Sequence, residues 1–179
     1  MMGELKHDAQ GGRFWQDAWD GYPGQRARIL DSIERISKGR RQHLNPVVVT
    51  GDWHSTFVND LKVDFEDESR AATVATEFVG TSITTNGDGL VYGPYYEPMV
   101  PFNPSIQFFD GDRRGYVLCK LDHDQWRTEL RMVEEVGDAD AAEYTYAAFV
   151  VEDGRPGAEI DCSPGPNPPK LGRVDCAPV

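Results

Sequence analysis

The sequence predicts an α+β fold with one early helix, one buried strand and a second half made mostly of antiparallel sheet. Three observations predict it. Gln25 to Lys38 carries isoleucines at helical spacing. Val47 to Thr50 is a short, uninterrupted run of branched side chains. From Ser105 onward, alternating segments are separated by turn-forming residues.

Taken in order, residues 1–24 are polar, glycine-rich and dotted with aromatics, and "DAWDGYPGQ" reads as a turn. Pro23 presets the backbone for a helix start. In the helix, Ile29, Ile33 and Ile36 share a face with Leu30 beside them, and Asp31–Arg35 and Glu34–Lys38 are four apart. Gly39 ends the helix, "KGRRQHLN" is a basic connector, and Asn45-Pro46 bars helix before the next element. Val47 to Thr50 then reads as a central strand covered on both faces.

Leu61 to Asp64 suggests a second short element, and "DFEDES" an acidic, solvated stretch. Ala71 to Phe78 suits helix or strand equally. "YGPYYEPMVPFNP" has four prolines in 13 residues. That density argues for a long covering loop rather than helix or sheet, with its aromatics over a pocket or over a sheet.

"SIQFFD", a "GDRRG" turn and "YVLCKL" read as paired strands. "WRTELRMV" follows, with Trp126, Leu130 and Met132 on one side and Arg127, Glu129 and Arg131 on the other. "YTYAAFVVEDG" is a further strand. Beyond Gly154 the Pro/Gly-rich tail is expected to wrap the surface or fray.

The chain has 179 residues, enough for one domain with its own core. Its net charge of −12 argues against a broad basic face for nucleic acid. No run of apolar residues is long enough to span a membrane. Of the three cysteines, Cys119 falls in a strand, while Cys162 and Cys176 pair if the protein is exported and stay reduced in a cytosol.

The chemistry concentrates in "VVVTGDWHST". A strand end is a rigid mount, and Asp52 and His54, two apart, can point the same way. Carboxylate and imidazole suit Zn, Fe, Mn or Co. Ser55 and Thr56 follow as candidate donors to an oxyanion. The alternative is a loop in which Asp52 caps backbone N–H groups and His54 packs or faces water. His7, His43 and His123 lie in polar or turn segments and read as exposed.

"WDGYPGQRARIL", "NPVVVTGDWHSTFVNDLKVDF", "TEFVGTSITTNG" and "NPSIQFFDGDRRGYVLCKLDHDQWRTELRMV" occur in that order. Together they resemble the C-terminal part of PhoD-like alkaline phosphatases, metal-dependent phosphomonoesterases and phosphodiesterases of the calcineurin-like superfamily. The resemblance covers about residues 1–153 and leaves 154–179 as a tail. It implies the C-terminal portion of a metallophosphoesterase β-sandwich with flanking helices.

It also implies that Asp52 and His54, the matches to the family's "GDxH", each bind one metal of a dinuclear catalytic centre. The ions are divalent or trivalent, from among Ca, Fe, Zn, Mn and Co, and the substrate is a phosphate ester. Trp19 and Asp20 match the family's "WDGY" segment and join Ser55 and Thr56 as candidate pocket residues. Asn59 matches a family position with no role attached.

No "GNHD"-type run precedes Gly51, so the family's other metal ligands have no counterpart here. A fragment with little or no activity is expected. The alternative is a structural piece that pairs with an N-terminal half or with itself. Intact relatives are usually exported behind a twin-arginine signal, and "MMGELK" leaves the location open.

Overall fold

The computed structural model describes residues 1–12, 15–39, 44–66, 72–87, 90–165, 168–170 and 172–178. Two sheets stack. In the first, β1 (Val47–Thr50), β2 (Thr56–Lys62), β3 (Thr73–Val79) and β4 (Ile106–Asp110) lie in the order β1-β3-β2-β4. The β1–β3 pair is parallel and the other pairs are antiparallel. The second sheet is antiparallel throughout, in the order β5 (Gly115–Leu121), β6 (Gln125–Val133), β7 (Glu143–Glu152), β8 (Glu159–Ser163) and β9 (Ala177–Pro178).

Period-two alternation builds the core. Val58 pairs with Phe78, and both face the second sheet, meeting Leu130, Met132, Tyr146, Phe149 and Val151. Their neighbours Phe57 and Val79 point the other way, into a second cluster with Met1, Leu5, Tyr96 and Met99. The first sheet is therefore covered on both faces, which explains why β3 is buried along almost its whole length. That burial settles the ambiguous Ala71–Phe78 segment as strand from Thr73 on, with Ala71 outside the described residues.

The cover on the outer face is the segment Met1–Leu5 with helix α1 (Pro23–Lys38). Buried Glu77, on β3, ties the segment down. Its carboxylate accepts Met2 N–H (2.6 Å), Gly3 N–H (2.8 Å), the Thr50 hydroxyl (3.1 Å) and Asn59 Nδ2 (2.8 Å). This gives Asn59 a structural task. Gly3 is held so close that a Cβ there would lie 2.8 Å from Asn59 Nδ2.

Several sequence expectations are corrected. β1 is an edge strand, not a central one, and Val49 is 53% exposed. Val47 still packs toward the second sheet and Val48 toward α1, but with no neighbour on its outer edge the strand is only partly buried. In α1 the buried stripe is Arg26, Leu30 and Ser37 with Ile33 beside it, while Ile29 and Ile36 face solvent. Arg26 turns inward because Asp20 (2.6 Å) and Glu4 (3.4 Å) compensate its charge, so the helix rotates away from the isoleucine face. The Glu34–Lys38 pair forms as the spacing predicts, at 2.9 Å.

"SIQFFD" and "YVLCKL" do not pair with each other. β4 belongs to the first sheet and β5 to the second, so "GDRRG" is a crossover between sheets and not a turn joining two paired strands. Both arginines are buried. Arg113 pairs with Asp110 (2.7 Å), donates to the Tyr144 and Tyr146 hydroxyls and lies 4.1 Å over the Tyr146 ring.

The proline-dense loop contains helix α2 (Gly93–Tyr96) and a 3-10 turn over Glu97–Phe102. Proline is tolerated there because it falls in first turns, where no helical N–H is needed, and in short 3-10 geometry. The tail does not fray either. β8 pairs with β7, the Cys176 N–H bonds the Thr145 carbonyl at 3.0 Å, and Cys162 and Cys176 form a disulfide. None of the described helices is long and apolar enough to cross a membrane.

Candidate functional site

β1 runs parallel to β3, and the chain leaves its carboxyl end through Gly51-Asp52-Trp53-His54-Ser55 before entering β2. The Gly80 N–H closes the base of this loop on the Thr50 carbonyl at 2.9 Å. Loops beyond the carboxyl ends of parallel strands are frequent ligand sites, because the strand fixes where the side chains begin.

Asp52 and His54 line one crevice of about 340 Å³, together with Asp17, Trp15, Trp19, Trp53, Tyr92, Tyr96 and Met1. They are not splayed to opposite sides of the sheet. Both hold left-handed backbone angles, φ 73° and 53°. Among the described residues the one further non-glycine with positive φ is Asn86, at 65°, whose side chain reaches the same site. Such conformations cost free energy in an L-residue and gather where function demands a particular direction of side chain.

The Asp52 carboxylate has no hydrogen-bond or ion-pair partner among the described residues, so it does not cap this loop's N–H groups. The His54 ring is held on one side: Nδ1 lies 3.0 Å from the Tyr92 hydroxyl, which also accepts from Asn86 Nδ2 at 2.6 Å. From behind, buried Arg114 donates to the carbonyls of His54 (3.3 Å), Arg113 (2.9 Å) and Thr85 (3.1 Å) and lies 5.8 Å from the Tyr92 ring centre.

An aromatic wall frames the crevice. Trp53 meets Trp15 edge-on at 5.8 Å, Tyr96 at 5.6 Å and Phe57 at 6.0 Å. Burial pushes the Tyr96 phenol up to about 12, with Tyr95 and Tyr92 adding to the effect, so it stays protonated at neutral pH. The proline-rich loop thus covers both alternatives left open by its sequence. Tyr92 and Tyr96 face the crevice, while Met99 packs on the sheet.

The other candidates separate. Trp19 lines the crevice. Asp20 does not, because its carboxylate bonds Leu5 N–H (3.0 Å) and Arg26 (2.6 Å). Ser55 and Thr56 are buried, and their hydroxyls have no partner among the described residues. Neither lines the crevice. His123 is exposed, His7 is half-buried and 3.1 Å from Asp8, and His43 lies outside the described residues. Sequence spacing does not reveal Asp17, Tyr92, Asn86 or Arg114, since 38 residues separate His54 from Tyr92.

A carboxylate without competing bonds and an imidazole bonded at one nitrogen only suit a metal ion, and Asp17 adds negative charge at the rim. Two such donors are not a complete site. Among the described residues no group of three or more His, Cys, Asp or Glu side chains is placed to hold a metal ion.

Two stacked sheets, one mixed and one antiparallel, with flanking helices and this loop at a parallel strand's end, define a portion of a calcineurin-like phosphoesterase sandwich. The chain belongs to the PhoD-like phosphatase family, whose family model matches residues 1–130. It is 42% identical over 137 residues to alkaline phosphatase D of Bacillus subtilis (strain 168), covering 76% of this chain and 22% of that protein. It also superposes on the solved structure of PhoD with a TM-score of 0.78 at 32% identity, covering 98% of this chain and 32% of that one. The chain therefore spans between about a fifth and a third of the length of these relatives.

Proposed function

We propose that this chain supplies one wall of a two-metal phosphoester hydrolase centre, with Asp52 and His54 each holding one ion. The observation that carries the reading is the pair of left-handed residues on one crevice, with the Asp52 carboxylate free of other partners among the described residues. Charge supports it. The crevice presents Asp17 and Asp52 and no Lys or Arg among the described lining residues, so a phosphate ester would meet repulsion unless cations were bound first.

Bound ions at such a centre neutralise phosphoryl oxygens and acidify a water for in-line attack. The chain's own residues do the rest. Asp52 and His54 project from a braced loop, Tyr92 and Arg114 brace it, and the wall of Trp15, Trp53 and Tyr96 limits water at one side. With two ligands the isolated chain hydrolyses esters weakly or not at all.

A second reading, a non-catalytic piece that pairs with a complementary polypeptide or with itself, draws support from the open edge of β1 with exposed Val49. Equilibrium dialysis against Mn²⁺, Zn²⁺ and Ca²⁺, beside hydrolysis of a generic phosphate ester, tests the first. Asp52→Asn and His54→Ala are each expected to lower metal uptake. Uptake unchanged in the double variant would defeat the metal assignment.

A further inference from the structure

The first reading requires His54 to present one particular ring nitrogen, and the structure gives the other nitrogen a partner. Nδ1 and Nε2 lie on different edges of the imidazole, and a neutral ring protonates one of them. Nδ1 sits 3.0 Å from the Tyr92 hydroxyl, which leaves Nε2 as the nitrogen available to a ligand in the crevice.

We propose that Tyr92 is the positioning residue for His54, accepting its Nδ1–H so that the Nε2 lone pair faces the crevice. This rests on the metal-centre reading.

The surroundings of Tyr92 fit such a role. Its hydroxyl oxygen has two lone pairs. Asn86 Nδ2 donates to one at 2.6 Å, which leaves the other for an Nδ1–H of His54 at 3.0 Å. The hydroxyl proton then points away from both. Asn86 is itself set in a left-handed conformation that aims its amide at this oxygen.

The ring is fixed as well as the oxygen. It stacks on Tyr96 with centroids 6.1 Å apart and planes 19° apart, and meets the His54 ring edge-on at 5.6 Å. Arg114 bonds the His54 carbonyl and approaches the Tyr92 face, so one guanidinium braces both partners. A metal-ligating histidine whose second nitrogen is bonded in this way keeps its tautomer and orientation, and loss of such a partner typically lowers metal affinity about 10- to 100-fold.

The test uses ¹⁵N-histidine-labelled full chain, with the His54 signals identified by their absence in His54→Ala. In metal-free protein, at a pH well above the ordinary imidazole range, His54 is expected as the Nδ1–H tautomer. Tyr92→Phe keeps the ring and removes the oxygen, and is expected to shift His54 toward the Nε2–H form that free imidazole favours. Asn86→Gly allows the left-handed backbone, removes the side chain with its amide and gives a smaller shift of the same sign. It carries the test if Tyr92→Phe fails to fold.

Mn²⁺ added alone is the probe for the metal. It is expected to broaden the His54 resonances of the unmodified chain, and to need about tenfold or more higher concentration to do so in Tyr92→Phe. An Nε2–H tautomer in the unmodified chain, or one untouched by Tyr92→Phe, overturns the role of Tyr92 whatever the metal does. Absence of broadening at His54 in the unmodified chain overturns the metal centre instead, and the tautomer still decides the case of Tyr92.

Discussion

Replacing Glu77 with glutamine is expected to cost about 2 kcal/mol of folding free energy. The carboxylate has two donors on each oxygen: Met2 N–H and the Thr50 hydroxyl on Oε1, Gly3 N–H and Asn59 Nδ2 on Oε2. An amide replaces one oxygen with NH₂, which sets a donor against the Met2 or Gly3 N–H whichever way it turns, while the Thr50 hydroxyl or a turned Asn59 amide can accept from it. One hydrogen bond to a charged acceptor is lost, worth about 1.5–3 kcal/mol. The site is fully buried, so water cannot take its place.

Urea denaturation measures the change, and hydrogen exchange locates it. The Met2 and Gly3 amides are expected to lose protection before the amides of β3 do. Thr50→Val, which removes a single neutral donor, sets the scale at about 1 kcal/mol. A loss below about 1 kcal/mol in Glu77→Gln, with Met2 and Gly3 still protected, would refute the idea that this carboxylate fastens the amino-terminal segment.

Two further outcomes follow from the second sheet. Reduction of Cys162–Cys176, or Cys176→Ala, opens a loop of sequence separation 14 and is expected to remove about 3 kcal/mol, seen as a lower urea midpoint; an unchanged midpoint would show that the tail adds no stability. Glu129 is held below its ordinary 4.5 by its bond to Lys120 and by nearby Arg127, so its contribution is present above 4.5 and fades as pH falls through the folded-state value. Glu129→Gln is expected to cost about 1 kcal/mol at neutral pH and to match the unmodified chain in acid; a gap that stays constant with pH would disprove the charge pairing.

Helix α1 was legible because its propensities, Pro23 and Gly39 agree locally. Its buried face was not, because Arg26 turns inward only where Asp20 and Glu4, both outside the helix, meet it. The "GDWHST" loop stood out through an abrupt change from branched apolar to ligand-type side chains. Spacing gave the pair but not its neighbours, since Tyr92 reaches His54 through the folding of a proline-rich loop. "GDRRG" has the composition of a hairpin turn. Only the registers of β4 with β2 and of β5 with β6 show that it crosses between sheets. The resemblance to PhoD-like enzymes carried the assignment of fold where periodicity stopped at strand type.

Met1 is buried and forms part of the crevice lining, and the two residues after it are pinned by Glu77. Any polypeptide joined ahead of Met1 must therefore emerge beside Asp52 and His54. A purification tag fused at that end would crowd the mouth of the crevice. Assays of metal uptake are best made on protein from which any such tag has been removed.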